Sequence, residues 1–334
     1  MIRENILFHN VDEIEENRIG LKLYRAKKEV CASLNPVARE MNRAADGCEL
    51  RFVTEAPMIR ITLYCDDDFG EVIVFCGDNM LSSHRVTKSG FMTFTAVDNK
   101  GFKSLENGFF DGEERRFSKD VWRIYFHSFR CTLVDVETFE YPIRVPNKDE
   151  MPKKTLLSYG SSISHGAITL FHPDSFPQTF ARLAKMDCLI KGTASSCFAE
   201  KATADDFAQR DDWDVALLEL GINMLGFETE VFEERFNYFA DKMAKTGKKL
   251  IFVTMFPCGD CYRDGEKADK FKSFNEIIRK KCSSFDDKQC LLLEGKDILT
   301  STTWLMCDNL HPSTEGHVMM GINLYNKAKD FLNE

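Results

Sequence analysis

Between Tyr141 and Lys154 the texture of the chain changes, and that change constrains the fold more than any other feature of its 334 residues. Pro142, Pro146 and Pro152 flank a charged stretch, Asn147-Lys148-Asp149-Glu150, which reads as a linker. After it the rhythm becomes strand, helix, strand, helix. Strands are expected over 155–159, 188–191, 215–220, 250–255 and 290–293, with helix-length segments such as 230–245 and 267–281 between them. Such alternation predicts a parallel sheet covered by helices on both faces.

Before the linker the period is two. Met58-Ile59-Arg60-Ile61-Thr62-Leu63-Tyr64-Cys65 puts Ile59, Ile61, Leu63 and Cys65 on one face and Arg60 and Thr62 on the other. Cys48-Glu49-Leu50-Arg51-Phe52 repeats the pattern, and Val121-Trp122-Arg123-Ile124-Tyr125-Phe126 alternates with aromatics on both faces, so that Trp122 reads as core. Turn-forming clusters such as Asp66-Asp67-Asp68-Phe69-Gly70 separate the runs, and Asn35-Pro36 marks the start of one short helix. Many short alternating strands favour an antiparallel sandwich. Two domains are expected, over 1–148 and 153–334.

Composition narrows the function. Lys+Arg 44 against Asp+Glu 53 leaves a net charge of −9, so the surface does not attract nucleic-acid phosphates or anionic lipid. No apolar run approaches the roughly 18 residues of a membrane span, and the first ten residues do not read as a signal peptide. The 12 cysteines are scattered and read as reduced thiols of a cytoplasmic protein. Cys258 and Cys261 have redox or zinc-ligand spacing, but no second Cys/His pair stands at a matching interval, so no metal is expected.

Ligand sites in open α/β sheets lie beyond the carboxyl ends of the strands. Three expected strands run into Gly160-Ser161-Ser162-Ile163-Ser164, Gly192-Thr193-Ala194-Ser195 and Gly221-Ile222-Asn223, and Asp308-Asn309-Leu310-His311-Pro312 precedes the last helix. Taken singly, glycine and serine after a strand are turn chemistry, His311 a structural histidine and Asp308 a helix cap. Together they suit acyl transfer. A serine at a strand-to-helix turn is exposed at the helix's positive end, and a histidine can take its proton. An aspartate can orient that imidazole, and a glycine amide and an asparagine can donate to an oxyanion.

These blocks resemble the SGNH, or GDSL-type, hydrolases, named for Ser, Gly, Asn and His in four separated blocks. The match runs through Tyr159-Gly160-Ser161-Ser162-Ile163-Ser164-His165-Gly166, Gly192, Gly221-Ile222-Asn223 and Asp308-Asn309-Leu310-His311-Pro312, in the family's order, across about residues 155–330. The resemblance implies a flavodoxin-like three-layer α/β/α sheet preceded by a mostly antiparallel, jelly-roll-like accessory sandwich. It implies Ser162 as nucleophile, His311 as general base and Asp308 as its partner. The Ser162 and Gly192 amides and the Asn223 side chain would form the oxyanion hole. Ser161 replaces the family's usual aspartate, and a serine makes similar short bonds to a turn backbone. Ser164 and His165 are candidates for lining the substrate mouth; for His165 a plain surface position is the alternative. His317 is expected on the last helix in a structural role.

The expected function is a serine esterase, with no cofactor, acting on short acyl esters, acetyl above all, of a carbohydrate, so that the expected partner is a small-molecule or oligosaccharide ester. The alternatives are a lysophospholipase or thioesterase of the same superfamily, or a non-catalytic sugar- or acyl-binding protein. A further reading makes the first domain an interaction module that builds a homo-oligomer.

Overall fold

The computed structural model describes residues 1–98, 101 and 115–333. The chain divides into two compact units, Met1–Lys28 with Asn42–Lys153, and Glu29–Met41 with Lys154–Glu334.

The first unit is a sandwich of two antiparallel sheets. One runs in the order Ile2–Arg3, Ile6–His9, Glu49–Val53, Val121–His127, Gly70–Cys76, Asn79–Val86, and the other Glu13–Glu16, Leu21–Tyr24, Cys131–Glu137, Met58–Cys65, Gly90–Val97. Phe8, Leu50, Phe52, Val74, Trp122 and Ile124 from the first sheet meet Leu23, Ile59, Ile61, Leu63, Phe94 and Leu133 from the second in one core. Met58–Cys65 buries the face that its period predicts. Glu49–Val53 departs from it, because its polar face is buried as well. There Glu49 accepts from Arg123 Nε and Nη2 at 2.8 and 2.6 Å and from Arg51 Nε at 2.7 Å. The Arg123 guanidinium lies 4.1 Å from the Phe117 ring centroid. An alternating strand thus encloses a buried ion triad where period-two reasoning puts solvent.

The second unit holds five parallel strands in the order Asp187–Ile190, Thr155–Gly160, Val215–Glu219, Lys249–Val253, Cys290–Leu293. Successive side chains point to opposite faces. Leu157, Ala216, Leu218, Leu250 and Phe252 pack under the helices Lys201–Gln209, Thr229–Ala244 and Glu266–Cys282. Leu156, Val215, Leu217, Ile251 and Val253 pack under Phe176–Leu183 and Thr314–Asn333. With both faces covered, the strands read as continuous apolar runs, and the result is the expected three-layer α/β/α arrangement. The order places the first strand between the second and the third, so the chain leaves it in opposite directions on its two sides. In sheets of this order ligands bind beyond the strand ends at such a switch point.

The helix Pro36–Met41 forms at Asn35-Pro36 as expected, with Asn35 Oδ1 accepting from the Ala38 amide at 3.0 Å. It belongs to the second unit, where Asn35 donates from its amide N to Glu200 Oε1 at 2.7 Å and from Nδ2 to Ser196 O at 3.1 Å. A cut at the linker alone does not foresee that excursion. Among the described residues no helix is long and apolar enough to cross a membrane.

Candidate active site

The first strand of the parallel sheet ends at Gly160, and the chain turns at once into the short helix Ser162–His165. Ser161 caps that helix, its Oγ accepting from the Ile163 amide at 3.1 Å. Gly160 has no room for a side chain: a Cβ there would lie 2.4 Å from Ser164 Oγ and 2.6 Å from Glu219 O. The turn is therefore tight, and it carries Ser162 just beyond the end of the first parallel strand.

Ser162 Oγ lies 2.8 Å from His311 Nε2, and His311 Nδ1 lies 2.8 Å from Asp308 Oδ2. The two contacts fit one tautomer, in which Nδ1–H donates to the carboxylate and Nε2 accepts from the serine hydroxyl. Asp308 is fixed from below, since its Oδ1 accepts from the Leu310 and His311 amides at 2.9 and 3.0 Å. Partial burial works against the charged form, but the His311 ring and these amides hold the Asp308 carboxyl below its usual range. The loop is closed by an antiparallel bridge between Leu305 and Pro312, with the Met306 amide donating to His311 O at 2.8 Å. Asn309 takes a left-handed conformation (φ 59) that suits asparagine.

Two further expected residues follow neighbouring strands. Asn223 sits in the turn Ile222–Met224 after the third strand, and its Oδ1 accepts from the Cys197 amide at 3.2 Å, which leaves Nδ2 to donate. Gly192 follows the second strand and lies against the nucleophile turn, where a Cβ would stand 2.5 Å from the His165 amide N.

Ser164 and His165, the candidates for the substrate mouth, are both buried. Ser164 is fully buried and donates to Glu219 Oε2 at 3.0 Å. His165 is buried too, its Nδ1 2.9 Å from Gly192 O, so the surface reading fails. All four residues of the short helix are buried, Ser162 included. His317 lies on the last helix, buried, with Nδ1 accepting from the Phe176 amide at 3.3 Å and Nε2 3.4 Å from Ala167 O. Burial pushes its imidazole down to about 4. Cys258 and Cys261 brace a short turn, Cys261 Sγ donating to Cys258 O at 2.8 Å, and among the described residues they join no cluster of three metal-ligating side chains.

Sequence reasoning missed Glu219, the last residue of the third strand. Its Oε2 accepts from the Ser161 amide at 2.8 Å, Ser161 Oγ at 2.7 Å and Ser164 Oγ at 3.0 Å. The carboxyl is buried, and its Oε1 has no hydrogen-bond partner among the described residues. Burial pushes Glu219 up to about 7, against the pull of the hydrogen bonds from Ser161 and Ser164. The signal was present in Val215-Ala216-Leu217-Leu218-Glu219-Leu220: one acid in a strand whose two faces are both apolar.

The architecture is that of the SGNH, or GDSL-type, hydrolase fold with an additional β-domain. Three solved structures carry the comparison. A salicylyl-acyltransferase from a tetracycline biosynthetic pathway superposes with a TM-score of 0.79 at 11% identity, over 98% of this chain and 94% of that one. A protein described as a GDSL-like lipase from Bacteroides ovatus gives 0.73 at 14% identity, over 98% and 96%. A family two carbohydrate esterase from Clostridium thermocellum, in complex with cellohexaose, gives 0.64 at 12% identity, over 98% and 99%. No protein-family model matches the chain, and no curated protein matches it in sequence.

Proposed function

We propose that the protein is a serine esterase that removes short acyl groups, acetyl above all, from a carbohydrate. The observation that carries the reading is the continuous hydrogen-bond relay from Ser162 Oγ through the His311 ring to Asp308. In this mechanism His311 Nε2 takes the hydroxyl proton as Ser162 Oγ bonds to the acyl carbon. The carbonyl oxygen becomes an oxyanion that receives hydrogen bonds from Asn223 Nδ2 and the Ser162 and Gly192 amides. Collapse breaks the ester C–O bond, and the imidazolium returns its proton to the leaving alcohol. Water then repeats the sequence and releases the acid.

The carbohydrate assignment is supported by the esterase bound to cellohexaose, whose whole length, β-domain included, this chain parallels. On this reading the sandwich is the accessory domain and the α/β unit the catalytic one. The salicylyl-acyltransferase supports a second outcome of the same chemistry, in which an alcohol other than water takes the acyl group.

Wild type and Ser162→Ala, both verified as folded, are compared on p-nitrophenyl acetate and butyrate and on acetylated sugars. A fall of about a thousandfold or more in the variant supports serine acyl chemistry. Equal rates would remove Ser162 from its role. Acetylated sugars left untouched while longer esters or thioesters turn over would overturn the substrate class. Product partition with added sugar or aromatic alcohols separates hydrolysis from transfer.

A further inference from the structure

Among the buried ionisable groups that the mechanism above leaves unused, Glu219 adjoins the turn that carries Ser162. We infer that Glu219 is the positioning residue of the nucleophile turn, using one carboxylate oxygen to hold Ser161 and Ser164 on either side of Ser162 so that the serine hydroxyl stays aimed at His311. The inference rests on the esterase reading only for its kinetic consequence. The geometry stands by itself.

Three donors converge on Glu219 Oε2: the Ser161 amide, the Ser161 hydroxyl and the Ser164 hydroxyl. The first two belong to the residue before Ser162 and the third lies two residues after it, so the contacts bracket the nucleophile. The Ser161 hydroxyl passes the restraint on, because its oxygen also accepts from the Ile163 amide. The helix Ser162–His165 spans only four residues, too short to hold itself by its own ladder. Something outside it must define its entry, and the Glu219 carboxyl touches both its N-cap, Ser161, and its third residue, Ser164.

The same carboxyl is a poor choice on stability grounds alone. It is buried, with no cation among its hydrogen-bond partners, and Oε1 meets no partner among the described residues, an arrangement that costs free energy. An apolar side chain would fill a strand end between two apolar layers more favourably. An arrangement costly to the fold but aimed at the turn that presents the nucleophile is what a positioning role requires. Gly160 fits the same account. Its missing Cβ leaves Glu219 Oε2 room to reach the turn, since a methyl there would stand 2.6 Å from that oxygen.

Glu219→Leu keeps the bulk and removes the acceptor; Glu219→Gln restores an acceptor without the charge. Two readouts apply to each: hydrogen exchange of peptides covering residues 160–166, and kcat and KM on p-nitrophenyl acetate. The expected result is exchange at least tenfold faster in Glu219→Leu, with kcat down by about ten- to a hundredfold and KM nearly unchanged. Glu219→Gln recovers most of both. Wild-type exchange in a folded Glu219→Leu protein would overturn the inference, as would lost thermal stability with kcat intact. If Glu219→Leu does not fold, Ser164→Ala carries the test. It removes one of the three donors, and unchanged exchange and kcat in that variant would also overturn the inference. An inactive wild type would sink the esterase reading alone, because exchange reports on the turn without any substrate.

Discussion

The Cys197 amide donates to Asn223 Oδ1, and that contact fixes which end of the Asn223 side chain is left to donate. On the proposed mechanism, replacing Asn223 by alanine removes one oxyanion donor, so kcat on p-nitrophenyl acetate should fall by about a hundred- to a thousandfold with KM little changed. Because Cys197 acts through its backbone, Cys197→Ser should leave kcat nearly intact. A large loss there would place the thiol itself in the chemistry.

Asp308 accepts a hydrogen bond from His311 Nδ1–H on one oxygen and from two backbone amides on the other. In Asp308→Asn the side-chain oxygen can still accept from the amides, but the remaining NH2 then meets His311 Nδ1 as a donor and favours the wrong tautomer. The expected fall in kcat is about a thousandfold or more, in a protein whose fold is kept by circular dichroism. A loss below tenfold would mean that His311 is oriented by something else.

Two buried groups titrate in opposite senses. His317 is pushed down to about 4 by burial, from an ordinary 6.5, so the unfolded chain takes up its proton first and the folded state loses stability as pH falls from 6.5 toward 4. Glu219 is pushed up to about 7 from 4.5, so the folded state keeps its proton longer and loses stability as pH rises from 4.5 toward 7. Ser161 and Ser164 hydrogen-bond to Glu219, and Cys197, whose thiol it raises, is the titratable neighbour. Each effect is on the order of 3 kcal/mol across its window, and between 4.5 and 6.5 they oppose each other. Urea denaturation of Glu219→Gln should therefore show stability rising with pH in that interval, and His317→Gln should show it falling. Parallel curves for both variants would contradict the assignments.

In the sandwich, the Arg123 and Arg51 guanidinium groups hold the Glu49 carboxyl well below its usual range, although full burial opposes ionisation. Glu49→Gln leaves two buried cations without their counter-charge and should destabilise the protein by about 3–5 kcal/mol in urea denaturation. A change under about 1 kcal/mol would mean that water or a neighbouring group compensates them.

The sheet of the second unit was legible because its strands are buried on both faces and hence apolar throughout, which sets them off from the amphipathic helices between them. Strand ends near Gly160, Gly192 and Gly221 announced the candidate site through residue types that a close turn demands. What the sequence did not disclose is the direction of side chains within a four-residue helix. Ser164 and His165 lie two and three residues after Ser162, yet both are turned inward, and only partners distant in sequence, Glu219 on the third strand and Gly192 after the second, explain why. Glu49 and Glu219 were obscured for a related reason. Alternation and apolar runs describe average strands, and a buried acid matched to distant donors is a long-range fact that no local window contains. The excursion at Glu29–Met41 belongs to the same class, since Asn35 meets Glu200 across 165 positions of chain.

Ser162 and His311 stand 149 residues apart in the chain. During synthesis the turn at Ser162 can form with the first parallel strands before His311 has been made, so on the proposed mechanism the nascent protein carries an unactivated serine until nearly all of the second unit has emerged. On the proposed mechanism, recovery of hydrolysis on refolding requires the loop bridged between Leu305 and Pro312 to bring His311 beside Ser162, a contact whose sequence separation makes its closure entropically costly.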